Sequence, residues 1–333
     1  MHYQPRMNAR AVLEAAVHAA IRAPSTHNTQ PWRFRIIGDR LEVRADAARS
    51  LRIIDKDRRQ QIQSCGCALF NARLAVRAAG YREHVALTLD DEEQPELLAT
   101  LQVGGPELPS DEDLALVDAI PRRHTNRRPF LIRPLPASAP ARLARAADAE
   151  RGTLVRLPPA EKETLALMIE QADRTQYADA DFRRELARWL TPVRSPRRDG
   201  IPFVEKEYGS ALPFSLMRTL RSPHLGEELG EIEVERVHDA PAVFAIGTRT
   251  DKPRDWLAAG QALEAVLLHA TAMGLSASFL NQVLEVPASR RMVENLLPSV
   301  GFPQMILRLG VSAEPVRRPA PRRAIEDVLE VVS

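Results

Sequence analysis

The sequence predicts an α+β protein built from two related halves. Three observations carry that prediction. Helical apolar patterns alternate with short strand-like runs along the 333 residues. The stretch "CGCALFNARLAVRAAGY" (65–81) lies over "AGQALEAVLLHATAMGL" (259–275) without a gap, sharing Gly66/Gly260, Ala68/Ala262, Leu69/Leu263, Leu74/Leu268, Ala78/Ala272 and Gly80/Gly274 at a constant offset of 194. Apolar residues make up 44% and charged residues 27%, the balance of a globular protein with a sizeable core.

The elements follow in order. "NARAVLEAAVHAAIRA" has helical periodicity from Asn8 to Ala23, with Asn8 as its N-cap. "RFRII" and "LEVRA" flank "GD" and read as a hairpin. A second helix spans about Asp57 to Ala79 and ends at Gly80, a residue suited to a left-handed cap. "HVALTL" and "LATLQV" are strand-like, and "SDEDLALVDAI" is a helix capped by Ser110. Basic, Asp-containing stretches ("DKDRRQQ", "RTDKPRDW") precede both repeated helices, and strand-like runs ending in "QVGG" or "RLG" follow them. The halves therefore divide into residues 1–118 and 119–333. Within the second, "HDAPAVFAIG" reads as a buried strand. Residues 191–235 fit neither half; their prolines and exposed-looking apolar residues read as a lid, with a linker as the alternative.

Several function classes are excluded. The formal charge is +2, and no basic block is interleaved with aromatics, so nucleic acid is not an expected partner. No apolar run is long enough to span a membrane, and "MHYQPRMNAR" has no signal core. Cys65 and Cys67 stand two apart in a helix and point about 200° from each other, which suits neither a disulfide nor a metal pair. Buried small residues in a reducing cytoplasm are the expectation. No metal site, G-x-S-x-G elbow, Walker motif or dinucleotide fingerprint is present.

Two polar clusters carry the chemistry. "RAPSTHNTQPWRF" (22–34) holds more directional hydrogen-bonding groups than a plain connection needs. "PRRHTNRRPF" (121–130) places Arg123 and Arg127 around His124 and Thr125, and guanidinium forks suit phosphate oxygens and the carbonyl edge of a heteroaromatic ring. A solvated helix end is the alternative for the second cluster.

Together, "APSxxNxQPW" and "RHTxR" resemble the FMN-dependent nitroreductase family. The likeness extends through "GLSASFLNQ", "PQMILRLG" and "PAPRRAIEDVL". The family's members are homodimers with FMN between subunits, one supplying the Arg segment and the other the turn against the ring. Here each half keeps only one of the two motifs. That division resembles the Acg family of FMN-binding oxidoreductases. It implies a nitroreductase-like fold fused as an intramolecular pseudo-dimer, with one FMN site per chain.

The resemblance implies that Arg123, His124, Thr125 and Arg127 hold phosphate and ring edge, and that Pro24, Ser25, Thr26 and Asn28 line the ring. Phe279, Leu280, Asn281 and Gln282 would cover the flavin edge near N5. Arg322 matches a phosphate-binding Arg; the family's Lys position is Ala320, a loss that Arg323 would have to offset. Pro31 and Trp32 read as scaffold. The implied activity is hydride transfer from NAD(P)H through FMN to small planar acceptors such as nitroaromatics or quinones, with no catalytic side chain required. The alternative is a protein that stores FMN under a closed lid. A monomer would suffice for the site, and a homodimer stays open.

Overall fold

The computed structural model describes residues 8–89, 93–192, 195–203, 225–314 and 320–332. Helix α1 (Ala9–Ala20) starts where Asn8 Oδ1 accepts from Ala11 N at 2.8 Å. It stops short of Ala23, because a residue ahead of proline is pushed out of helical backbone. Strands β1 (Trp32–Ile37) and β2 (Arg40–Ala45) form the expected hairpin across Gly38, whose φ is +60°. Helix α2 (Arg59–Ala78) runs into Gly80, where a φ of +90° turns the chain into β3 (Tyr81–Leu87) and then β4 (Leu97–Pro106). β3 opens at Tyr81 rather than His84: it is a largely exposed sheet edge, so its first residues carry no apolar signal. Helix α3 (Asp111–Ala119) has the predicted Ser110 cap, with Ser110 Oγ accepting from Asp113 N at 3.0 Å and Asp113 accepting from Ser110 N in return.

The second half repeats this plan. Helix α4 (Ala139–Ala149) and strand β5 (Thr153–Arg156) come first. An excursion follows: α5 (Pro159–Ala178), α6 (Ala180–Trp189), the short strands β6 (Leu190–Pro192) and β7 (Ile201–Phe203), and α7 (Leu225–His238). The chain then returns through the fully buried β8 (Ala242–Thr248), α8 (Pro253–Ala272), β9 (Ser276–Phe279), α9 (Gln282–Glu285), α10 (Pro287–Leu296) and β10 (Phe302–Gly310). One sheet has the order β1-β2-β4-β3 and the other β5-β8-β10-β9. These are the same order in each half, with the long helix inserted between the second and third strands of the chain. The C-terminal strand β11 (Leu329–Val332) crosses back to pair in parallel with β1, so the second half completes the first half's sheet.

The repeated helices α2 and α8 pack on each other, and their shared glycines make the close approach. A Cβ on Gly66 would stand 2.3 Å from Leu257 O, and one on Gly260 would stand 2.0 Å from Gln63 O. Gln63 and Leu257 are themselves counterparts at the offset of 194. The contact is therefore reciprocal, as in an isologous interface between identical subunits. One hydrophobic core runs through both sides of it, from Leu13, Trp32 and Leu69 to Phe244, Leu263 and Leu307. Trp32 is fully buried there, in the scaffold role expected of it. Cys65 and Cys67 are buried free thiols in α2.

Most of the 191–235 segment (193–194 and 204–224) lies outside the described residues. Of the remainder, 225–235 belongs to α7, which packs on α5. Residues 198–200 bond to the 24–30 turn.

Candidate functional site

The turn that follows α1 is held in an unusual backbone state. His27, Asn28 and Gln30 all adopt left-handed φ values, of 51°, 53° and 50°. Such strain persists only where surrounding bonds over-determine it. Ser25 Oγ accepts from Gln30 N at 2.9 Å, and Thr29 Oγ1 donates to Thr26 O at 2.9 Å. Asn28 Nδ2 donates to Gly200 O (3.0 Å) and Pro321 O (3.2 Å). The buried Gln30 donates to Arg198 O (2.8 Å) and accepts from Arg323 N (2.8 Å). The turn is thus pinned between the 198–200 segment and the chain leading to β11. Pro24 is buried beneath it, while Ser25 and Thr26 remain half-buried. Thr26 Oγ1 donates to Gln60 Oε1 at 2.8 Å, and Gln60 donates in turn to Glu285 at 3.1 Å.

The two Arg segments converge on the same turn. Arg123 Nη2 donates to Arg22 O at 3.2 Å, and Arg322 Nη2 donates to Arg22 O and Ala23 O at 3.1 Å each. Arg322 Nη1 reaches Asn28 Oδ1 at 3.1 Å. Beneath them Glu264, from α8, is fully buried with its carboxylate 3.7 Å from Arg123 Nε. Burial pushes the Glu264 carboxyl up to about 6 against the pull of Arg123. Burial, aided by the neighbouring Arg123 charge, pushes Arg322 down to about 9. One buried carboxylate faces the guanidinium groups of Arg123 and Arg322, with Arg22 close by.

Thr125 bridges Ala277 in parallel fashion, so the Arg segment runs beside β9. His124 Nδ1 pairs with Arg122 O at 2.8 Å. Burial and the Arg127 charge push His27 down to about 4, which places Arg127 near the turn. Four buried nitrogens here have no hydrogen-bond partner: Nε of Arg123, Nε of Arg322, Nδ1 of His27 and Nε2 of His124. A buried cationic cluster with orphaned donors fits an anionic ligand such as the phosphate of FMN.

The remaining predicted residues divide. Phe279 ends β9 half-buried, packed against the main hydrophobic core. Leu280 is fully buried in the second-half core, and its N–H donates to Ile306 O at 2.9 Å. Asn281 donates to Met305 Sδ and accepts from Ile306 N at 3.0 Å, so its amide fastens β9 to β10. Gln282 Nε2 donates to Asp173 at 3.3 Å, which draws it toward α5. Arg323 donates to Gln30 O and Asp327 O, bracing the turn. Glu264, Gln60 and Glu285 belong to the site region but were not among the predicted residues.

A model of the nitroreductase family matches residues 2–54 and 120–311. The chain belongs to the nitroreductase family. It is 34% identical over 99% of its length, and 93% of the relative's, to the Mycobacterium tuberculosis protein "Putative NAD(P)H nitroreductase Rv3131". It is 28% identical to the "Putative NAD(P)H nitroreductase acg" of the same organism, with 96% of each chain covered. Among solved structures, the FMN-dependent nitroreductase NfnB from Mycobacterium smegmatis in complex with NADPH aligns with a TM-score of 0.43 and 14% identity, over 67% of this chain and all of that one. In this nitroreductase-family chain the two segments matched by the family model hold the turn and the Arg segment, respectively, and the fold brings them together.

Proposed function

We propose that this chain is an Acg-type, FMN-dependent NAD(P)H oxidoreductase with one flavin site per chain, made jointly by residues 1–118 and 119–333. The observation that carries the reading is the meeting of Arg123 and Arg322 at Arg22 O, with Arg322 also donating to Asn28 Oδ1 of the turn. Arg123 and Arg322, with the Thr125 hydroxyl, would hold the phosphate. Arg127 and His124 would face the polar edge of the ring, and Pro24, Ser25, Thr26 and Asn28 would line its face. Held there, FMN would supply the redox chemistry between NAD(P)H and a small planar acceptor such as a nitroaromatic or a quinone. The protein's own work is orientation and charge: the strained turn fixes the floor of the site, and the Arg cluster favours negative charge beside it. Because both parts lie in one chain, a monomer suffices. Two buried free thiols accord with a reducing, cytoplasmic setting.

A second reading rests on the bonds from Asn28 and Gln30 to Gly200 O and Arg198 O. They lock the 198–200 segment onto the turn, as a storage protein's cover requires. Mixing FMN-loaded protein with NADPH under anaerobic conditions separates the readings. An oxidoreductase bleaches the flavin within seconds; absence of bleaching with both NADPH and NADH overturns the enzyme assignment.

A further inference from the structure

Thr26 of the turn begins a chain of side chains that ends in the other half of the molecule. Its Oγ1 donates to Gln60 Oε1 at 2.8 Å, and Gln60 Nε2 donates to Glu285 Oε1 at 3.1 Å. The second carboxylate oxygen of Glu285 accepts from Gln176 Nε2, on α5, at 2.7 Å. The middle of the chain is fixed from both sides. Gln60 is 3% exposed in the first turn of α2, where its backbone N–H donates to Asp55 Oδ1 at 2.9 Å. Glu285 ends α9, and the buried Arg59, next to Gln60, donates to Leu284 O at 3.2 Å. Gln60 and Glu285 are thus held face to face across the two halves.

The direction of the chain follows from its carboxylate end. An ionised carboxylate only accepts hydrogen bonds, whereas a side-chain amide has one donating and one accepting end. Both Glu285 oxygens accept from amides. Burial pushes the Glu285 carboxyl up, against the bonds from Gln176 and Gln60 and the charge of Arg59. With its nitrogen drawn to Glu285, Gln60 presents its oxygen to Thr26, and the Thr26 hydroxyl commits its one proton to that bond. Its oxygen keeps its lone pairs, and forms no other hydrogen bond among the described residues. The turn therefore offers an acceptor at Thr26, and a carboxylate of the second half sets that polarity.

We propose that Glu285 is a positioning residue for the flavin site: acting through Gln60, it holds the Thr26 hydroxyl as an acceptor for an N–H of the isoalloxazine ring. This role rests on the proposed function, in which Thr26 lines the ring. The imide N–H is present in both redox states of FMN, and an N–H at N5 only in the reduced one.

The test titrates FMN onto flavin-free, full-length protein and measures the midpoint potential of the bound flavin, in wild type and in Thr26→Val, Thr26→Ser, Glu285→Ala and Gln60→Leu. Thr26→Val and Glu285→Ala should each weaken binding of oxidised FMN by about 2- to 10-fold, the loss of one ordinary hydrogen bond, where the partner is the imide. Where the partner is the N–H at N5, oxidised FMN should bind as in wild type and the potential should fall. Thr26→Ser keeps the hydroxyl and should match wild type. In a Thr26→Val background, Glu285→Ala and Gln60→Leu should add nothing, because the group through which they act is gone. If Glu285→Ala does not fold, Gln60→Leu completes the same cycle. Additive losses would mean that Glu285 and Gln60 serve the fold alone, and would overturn the proposal. So would wild-type affinity and potential in Thr26→Val. Failure of the proposed function is seen separately, as wild-type protein that binds no FMN.

Discussion

Replacing Arg123 separates what holds the fold from what holds the ligand. The side chain is 5% exposed and its partner Glu264 is 0% exposed. Arg123→Met therefore strands a carboxylate in the core, and breaking a buried pair in this way costs about 3–5 kcal/mol. On the proposed assignment of Arg123 to the FMN phosphate, the same change removes charge-assisted bonds worth about 1.5–3 kcal/mol, or on the order of 10- to 100-fold in affinity. The double variant Arg123→Met/Glu264→Leu removes the stranded charge and should recover most of the lost stability, because an apolar pair of similar volume replaces the buried ion pair. It should not recover FMN affinity. Urea unfolding of flavin-free protein reads the first quantity, and quenching of FMN fluorescence on titration reads the second. Wild-type FMN affinity in the double variant would refute the assignment of Arg123 to the phosphate and leave the pair a purely structural feature.

Three further outcomes follow from the same geometry. Glu264 titrates near 6 in the folded chain against an ordinary 4.5, so folding favours its protonated form. Its stabilising contribution, about 2 kcal/mol, is fully present below pH 4.5 and lost as pH rises through 6; the wild-type minus Glu264→Gln difference in unfolding free energy should trace that decline. Gly66→Ala and Gly260→Ala each drive a methyl group into backbone carbonyl oxygen across the α2–α8 crossing, and overpacking of about 1–3 kcal/mol should exceed the helix-propensity gain of up to about 1 kcal/mol. Thermal melts of both variants above wild type would show that the helices separate freely. Asn28→Gly keeps the left-handed backbone accessible but removes the amide that ties Gly200 and Pro321, so limited proteolysis should cut near 195–203 faster than in wild type. An unchanged cleavage pattern would mean that Asn28 does not anchor the segment.

The parts legible in the sequence were those written locally. The turn at 24–30 and the Arg segment at 123–127 are contiguous motifs, and the repeat of Gly66 and Gly260 is an alignment of one helix with another. Glu264 was not legible, because it stands in α8 among Leu263, Ala265 and Val266 and gains its meaning only from Arg123 in a distant segment. Gln60 and Glu285 were hidden for the same reason: Gln60 meets Thr26 from a distant part of the first half, and Glu285 joins it from the second. β11 reads as an unremarkable apolar tail until β1 supplies its partner. Asn281 shows the opposite difficulty. Its place in a family-like motif drew it toward the flavin edge, whereas both ends of its amide are used between β9 and β10. Arg323 likewise stands beside Arg322 in sequence yet serves the turn's backbone.

The central claim is one flavin site per chain, built from both halves. Sedimentation of FMN-loaded protein over a dilution series, followed at the flavin's own absorbance, tests it most directly. One FMN should travel with each chain, including in fractions where only monomer remains. Two FMN per chain, or flavin lost in step with the dissociation of a dimer, would contradict the account.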